Sequence, residues 1–230
     1  MIEATTLVRA LLIAGMAICG VTISGASQAR GQSTDGNSVP RFSNTSGTPG
    51  RAFGVDRLNA NSGTLLRNIS VGKAPIAVAV DAQTARVFVL NRDSQAVSVL
   101  DARAGTLLAN VSVGKAPTAV AVDAQTARVF VLNRDSQAVS VLDANSGALL
   151  RNISVGKAPI AVAVDERTAR VFVLNRDSQA VSVLDANSGA LLRNISVGKA
   201  PTAVAVDAQT ARVFVLNRDS QAVSVLDANA

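Results

Sequence analysis

Ile76-Ala77-Val78-Ala79-Val80-Asp81, Arg86-Val87-Phe88-Val89-Leu90-Asn91 and Ala96-Val97-Ser98-Val99-Leu100-Asp101 follow one another with only short polar stretches between them. Each is a run of about five β-prone residues that ends in Asp or Asn, the pattern of short strands joined by tight turns. The first two runs are almost wholly apolar, which predicts burial on both faces. Leu107 to Val113 supplies a fourth run, interrupted by Ala109 and Asn110 and polar enough for an outer edge. No 3.6-residue period survives anywhere in the unit, so helices are not expected. The whole unit begins at Val71 and recurs almost unchanged at Val113, Val155 and Val197, a spacing of 42 residues. Four short strands at that period predict an all-β protein built from stacked blades, a β-propeller.

The fourth copy reaches its third strand, Ala222 to Leu226. Thr64-Leu65-Leu66-Arg67-Asn68-Ile69-Ser70, ahead of the first full copy, resembles the fourth strand that this copy lacks. The expected architecture is therefore four four-stranded blades over residues 55–230, the last blade closed by the N-terminal strand. Such closure removes an exposed sheet edge. The same strand could instead complete a neighbour's blade, so a monomeric ring and a swapped dimer are both consistent with the sequence.

Ahead of the repeats, residues 1–29 read as a signal peptide. Arg9 lies in a short head, Leu11 to Ile23 is mostly apolar, and Ser27-Gln28-Ala29 offers small side chains for cleavage after Ala29. Cleavage after Ala26 and an uncleaved anchor are the alternatives, although Ala10 to Ala26 is short of the roughly 20 apolar residues of a spanning helix. Cys19 is the only cysteine, and the bulky Ile18 before it argues against lipidation. Removal of the signal leaves no cysteine and no transmembrane segment, as suits an exported protein held together by its core. Residues 30–54 are rich in Ser, Gly, Asn, Thr and Pro and read as a flexible linker.

The units resemble the YVTN family of bacterial β-propeller repeats. Phe88-Val89-Leu90-Asn91 stands for the naming strand, Ser98-Val99-Leu100-Asp101 for its V-S-V-I-D strand, and Val71-Gly72-Lys73-Ala74-Pro75 for its V-G-x-x-P turn. Residues 55–230 carry the resemblance four times over. It implies a propeller of the bacterial envelope, periplasmic, secreted or at the cell surface; family members include binding proteins, and some related propellers belong to enzymes. Ile76, Thr118, Ile160 and Thr202 alternate at one position, which suggests duplication of a two-blade unit.

With the family's strand order, the loops Gly72-Lys73-Ala74-Pro75 and Asn91-Arg92-Asp93-Ser94-Gln95 share one face. Repetition would then gather Lys73, Lys115, Lys157 and Lys199 into a ring, surrounded by Arg92, Arg134, Arg176 and Arg218, each beside an Asp. A face with that charge attracts anions. The plainer alternative is that lysines solvate the loop while Arg-Asp pairs hold the turn.

Other chemistry is poorly supplied. A formal net charge of +6 admits nucleic acid as a partner, but the chain has no Tyr or Trp for base stacking. Four of its six Phe share one strand position, Phe88, Phe130, Phe172 and Phe214, and read as core. Ser70-Val71-Gly72-Lys73 matches an S-x-x-K string, yet it runs from a strand into a turn rather than opening a helix. Gly-Lys-Ala lacks the frame of a phosphate loop. No His is present, and the Asp spacing is not that of a calcium loop. Asn44, Asn68, Asn110, Asn152 and Asn194 begin N-x-S sequons, read here as polar residues of loop and outer strand. The sequence therefore predicts no catalytic residues, metal or cofactor, but a non-catalytic binding or structural module whose partner is an envelope protein or a polyanion. Anion or single-stranded nucleic-acid binding through the lysines, and a lactonase-like enzyme by fold analogy, are the alternatives.

Overall fold

The computed structural model describes residues 38–42, 54–59 and 65–229. The predicted signal peptide 1–29, Cys19 within it, and the sequon at Asn44 lie outside the described residues. The order of strands is β1 (Ser38–Phe42), β2 (Gly54–Asn59) and β3 (Leu65–Ser70), then three full blades. The first blade is β4 (Pro75–Asp81), β5 (Arg86–Asn91), β6 (Ala96–Asp101) and β7 (Thr106–Ser112). The second is β8 (Pro117–Asp123), β9 (Arg128–Asn133), β10 (Ala138–Asp143) and β11 (Leu149–Ser154). The third is β12 (Pro159–Asp165), β13 (Arg170–Asn175), β14 (Ala180–Asp185) and β15 (Leu191–Ser196). The last is β16 (Pro201–Asp207), β17 (Arg212–Asn217) and β18 (Ala222–Asp227).

Every blade is an antiparallel meander in sequence order. Its turns are written by Asp. At the end of β4, Asp81 Oδ1 accepts the Gln83 and Thr84 amides and Oδ2 accepts the Thr84 hydroxyl. At the end of β6, Asp101 Oδ1 accepts the Arg103 and Ala104 amides while Oδ2 takes the Arg86 guanidinium at 3.1 Å. These side-chain bonds satisfy the turn amides and fix where each strand stops.

Blades adhere through alternate residues. Phe88, Leu90, Val97 and Val99 of the first blade interleave with Val129, Val131 and Leu142 of the second. Phe130, Leu132, Val139 and Val141 meet Val171, Val173 and Leu184 of the third. Phe172, Leu174, Val181 and Val183 meet Val213, Val215 and Ala228 of the last. Each blade thus has a leading face of Val and Leu and a trailing face of Phe, Leu and Val, and stacking buries both in the three full blades. In the first blade, for example, the second and third strands are sealed on both sides, and the fourth is largely exposed.

The predicted all-β architecture of four-stranded blades forms. Its closure differs. Strand β3 pairs with β2, and β2 with β1, so the last blade remains three-stranded. The innermost strands β4, β8, β12 and β16 pack side by side in that order, but β4 and β16 do not pack on each other in this way. The reason lies in the segment ahead of β3. Val55, Leu58 and Ala60-Asn61-Ser62-Gly63 match Val139, Leu142 and Ala144-Asn145-Ser146-Gly147 in sequence, so β2 is a worn third strand. Pairing β3 with the strand just before it in sequence, rather than with one about 150 residues away, lowers the closure cost by about 3 kcal/mol. Strand β1 falls within the stretch read as linker. The sheet β1–β3 takes the place of a preceding blade, with Ile69 of β3 and Val71 after it packed on Val87, Val89 and Leu100.

Candidate basic loop face

Two loops of each blade are fastened together by repeated bonds. The Lys73 amide donates to Ser94 Oγ at 2.6 Å, and the Arg92 amide donates to Ala74 O at 2.9 Å. The equivalents at Lys115–Ser136, Lys157–Ser178 and Lys199–Ser220 lie at 2.6–2.7 Å. Ala74 and Gln95 hold φ of 51° and 49°, left-handed conformations that non-glycine residues adopt only when the surroundings impose them. The two predicted loops therefore do share one face, in a fixed relation.

Asn91 is the exception within the predicted loop. It ends β5 and is wholly buried. Its Nδ2 donates to Val89 O and to Ser98 Oγ, and Ser98 Oγ donates to Asn110 Oδ1 at 2.6 Å. The chain of three side chains recurs at Asn133–Ser140–Asn152 and Asn175–Ser182–Asn194. It runs beneath the loops and ties the second, third and fourth strands together.

Clefts open between neighbouring blades on this face. One, of about 400 Å³, is lined by Arg134, Asp135 and Gln137 of the second blade and by Lys157, Ala158, Arg176 and Asp177 of the third. The next, of about 670 Å³, brings Arg176 and Asp177 opposite Lys199, Arg218 and Asp219. Lys73 and Lys115 hold the same loop conformation in their own blades. The predicted lysines and arginines thus lie along one face, following the order of the blades.

Arginine and lysine differ in this setting. Arg92, Arg134, Arg176 and Arg218 each bind the next Asp through Nε at 2.9–3.1 Å. That bond raises the Arg134 guanidinium further above its ordinary value, assisted by the charge of Asp177 across the cleft. None of the four lysines is ion-paired among the described residues. Each blade therefore adds about one uncompensated positive charge, carried by lysine. The serines that hold the loops escaped sequence reasoning; their recurrence 21 residues after each lysine was the available signal. Among the described residues, no group of three or more His, Cys, Asp or Glu could hold a metal ion.

No family model matches the chain, and no curated protein matches its sequence. Solved structures do match its fold. Hydrazine synthase of Kuenenia stuttgartiensis is similar with a TM-score of 0.63 and 19% identity, over 70% of this chain and 49% of that one. The dihydro-heme d1 dehydrogenase NirN, solved in complex with DHE, is similar with a TM-score of 0.65 and 18% identity, over 77% of this chain and 40% of that one. The chain spans less than half the length of either. At such identity the likeness concerns the fold, and the fold is a β-propeller.

Proposed function

We propose that this chain is an exported β-propeller of the YVTN type, acting as a non-catalytic binding or structural module of the bacterial envelope. The fastened loop face carries the reading, because it presents one short pattern, Lys beside an Arg-Asp pair, blade after blade. A repeated surface suits a repeated or extended partner. Export rests on the apolar segment ahead of Ala29, and the family reading on the Phe-Val-Leu-Asn and Ser-Val-Leu-Asp strands.

A second reading makes the partner a polyanion. It is favoured by the arginines being neutralised by their neighbouring carboxylates while the lysines are not. Fluorescence anisotropy with labelled inorganic polyphosphate, read at rising salt, tests it. Replacing Lys73, Lys115, Lys157 and Lys199 together by Ala should weaken binding at least about fourfold and flatten the salt dependence, since exposed charge contacts contribute about 0.2–1 kcal/mol each. Equal binding by both proteins would remove the lysines from the account and leave the scaffold reading without its anionic partner.

A further inference from the structure

The last blade carries an unused interface. Phe214, Leu216, Val223 and Val225 are 38%, 50%, 54% and 51% exposed, whereas Phe172, Leu174, Val181 and Val183, the same residues one blade earlier, are fully buried. The buried set is covered by Val213, Val215 and Ala228, the leading face of the following repeat. Strand β18 also lacks the partner that β6, β10 and β14 have on their outer edge. Ser224 accepts from Asn217 Nδ2 like its counterparts, but the Asn acceptor that Ser98, Ser140 and Ser182 each reach has no equivalent in this blade.

We propose that a second copy of this chain completes the last blade, its β3 pairing along β18 and the leading face of its first full blade covering Phe214 and Leu216. Strand β3 is Leu-Leu-Arg-Asn-Ile-Ser, identical to β11 and β15. In the register of β10 with β11, Ser224 would face Asn68, and Val225 would face Arg67. The present partner is the poorer match in sequence: in register β2 has Arg57 at the position where β10 has Val141. The leading face required is Val87, Val89 and Leu100, now packed against β3 and its neighbours, and it travels with β3. The interface is thus the internal blade interface repeated between molecules. A single chain does not fill it, because β3 stays beside the first blade and β16 does not pack on β4. Two chains exchanging β3 reciprocally would make a ring of eight blades. This assembly is independent of what the loop face binds.

Two single-cysteine chains beginning at Arg30, which removes Cys19 and retains every described strand, test it. Ala222→Cys in one and Ser70→Cys in the other occupy positions equivalent to the paired Ala138 and Ser154. Unfolded together and refolded in air, they should give a disulfide-linked heterodimer, and adding Leu216→Glu to the first chain should abolish it. Leu216 is half exposed in the single chain, so circular dichroism of that variant should show an unchanged sheet. A chain carrying both cysteines that closes an internal disulfide at monomer mass would overturn the proposal in favour of closure by its own strand. Absence of any heterodimer would overturn it as well.

Discussion

Gly114 shows how tightly the loop face is held at the level of single atoms. A Cβ there would fall 2.8 Å from both Asn133 Cβ and Ser136 Oγ. The first atom belongs to the buried Asn–Ser–Asn chain and the second to the serine that holds the lysine loop, so neither yields freely. Gly114→Ala should therefore cost about 1–3 kcal/mol, read as a lower urea midpoint with unchanged slope. The carboxylates of the turns make a second prediction. Hydrogen bonds donated by the Ser146 amide to Asp143 and by the Ser188 amide to Asp185 hold these carboxyls below the ordinary carboxylate range. Their folded pKa lies below the unfolded one, so the stability they give is present above about pH 4 and is lost as pH falls through the folded value. Asp123 has the opposite sign: burial raises its carboxyl, and its charged form disfavours folding as pH rises through the folded value. Urea midpoints between pH 6 and pH 3 should fall, and Asp143→Asn should fall less steeply than the parent. At this scale the sequence showed that Asp and Asn punctuate the strands. It did not show that Asn91 turns inward, because a loop Asn and a buried Asn are the same letter until the serine across the strand is known to be its partner.

At the level of strands and blades, the repeat made prediction easy in the middle and hard at the ends. Alternation in Val87-Phe88-Val89-Leu90 already implied two buried faces; the second blade covers Phe88 and Leu90, and Ile69 and Val71 pack on Val87 and Val89. At the N-terminal end, Thr64 to Ser70 matches a fourth strand closely, whereas the segment before it matches a third strand only weakly. Gly54 to Asn59 has lost the alternating valines of a third strand, retaining Val55 and Leu58, yet it pairs with β3 by its nearness in sequence. The last blade gives a clean comparison, since β18 and β14 have the same sequence and so the same intrinsic exchange rates. In the Leu216→Glu chain, where association is blocked, amides along β18 should exchange at least about tenfold faster than those of β14, because one outer edge and one face are open to water. Equal protection in that variant would mean that another part of the chain covers the edge.

For the molecule as a whole, three interior blade interfaces are made and one trailing face is left bare. That face is apolar and composed of residues which the same chain buries completely elsewhere, a combination that marks an interaction surface. Near-identical repeats supply the matching surface in every other copy of the protein. The sequence allowed both a closed ring and an exchanged dimer, since strand complementarity does not depend on which chain donates the strand; the open last blade is the observation on which the exchanged dimer is proposed. The most direct measurement is the absolute mass in solution, by light scattering, of the full chain and of the form beginning at Arg30. Each should show twice the mass of one chain, falling to one chain with Leu216→Glu. A parent protein that stays at the mass of one chain as its concentration is raised would contradict it.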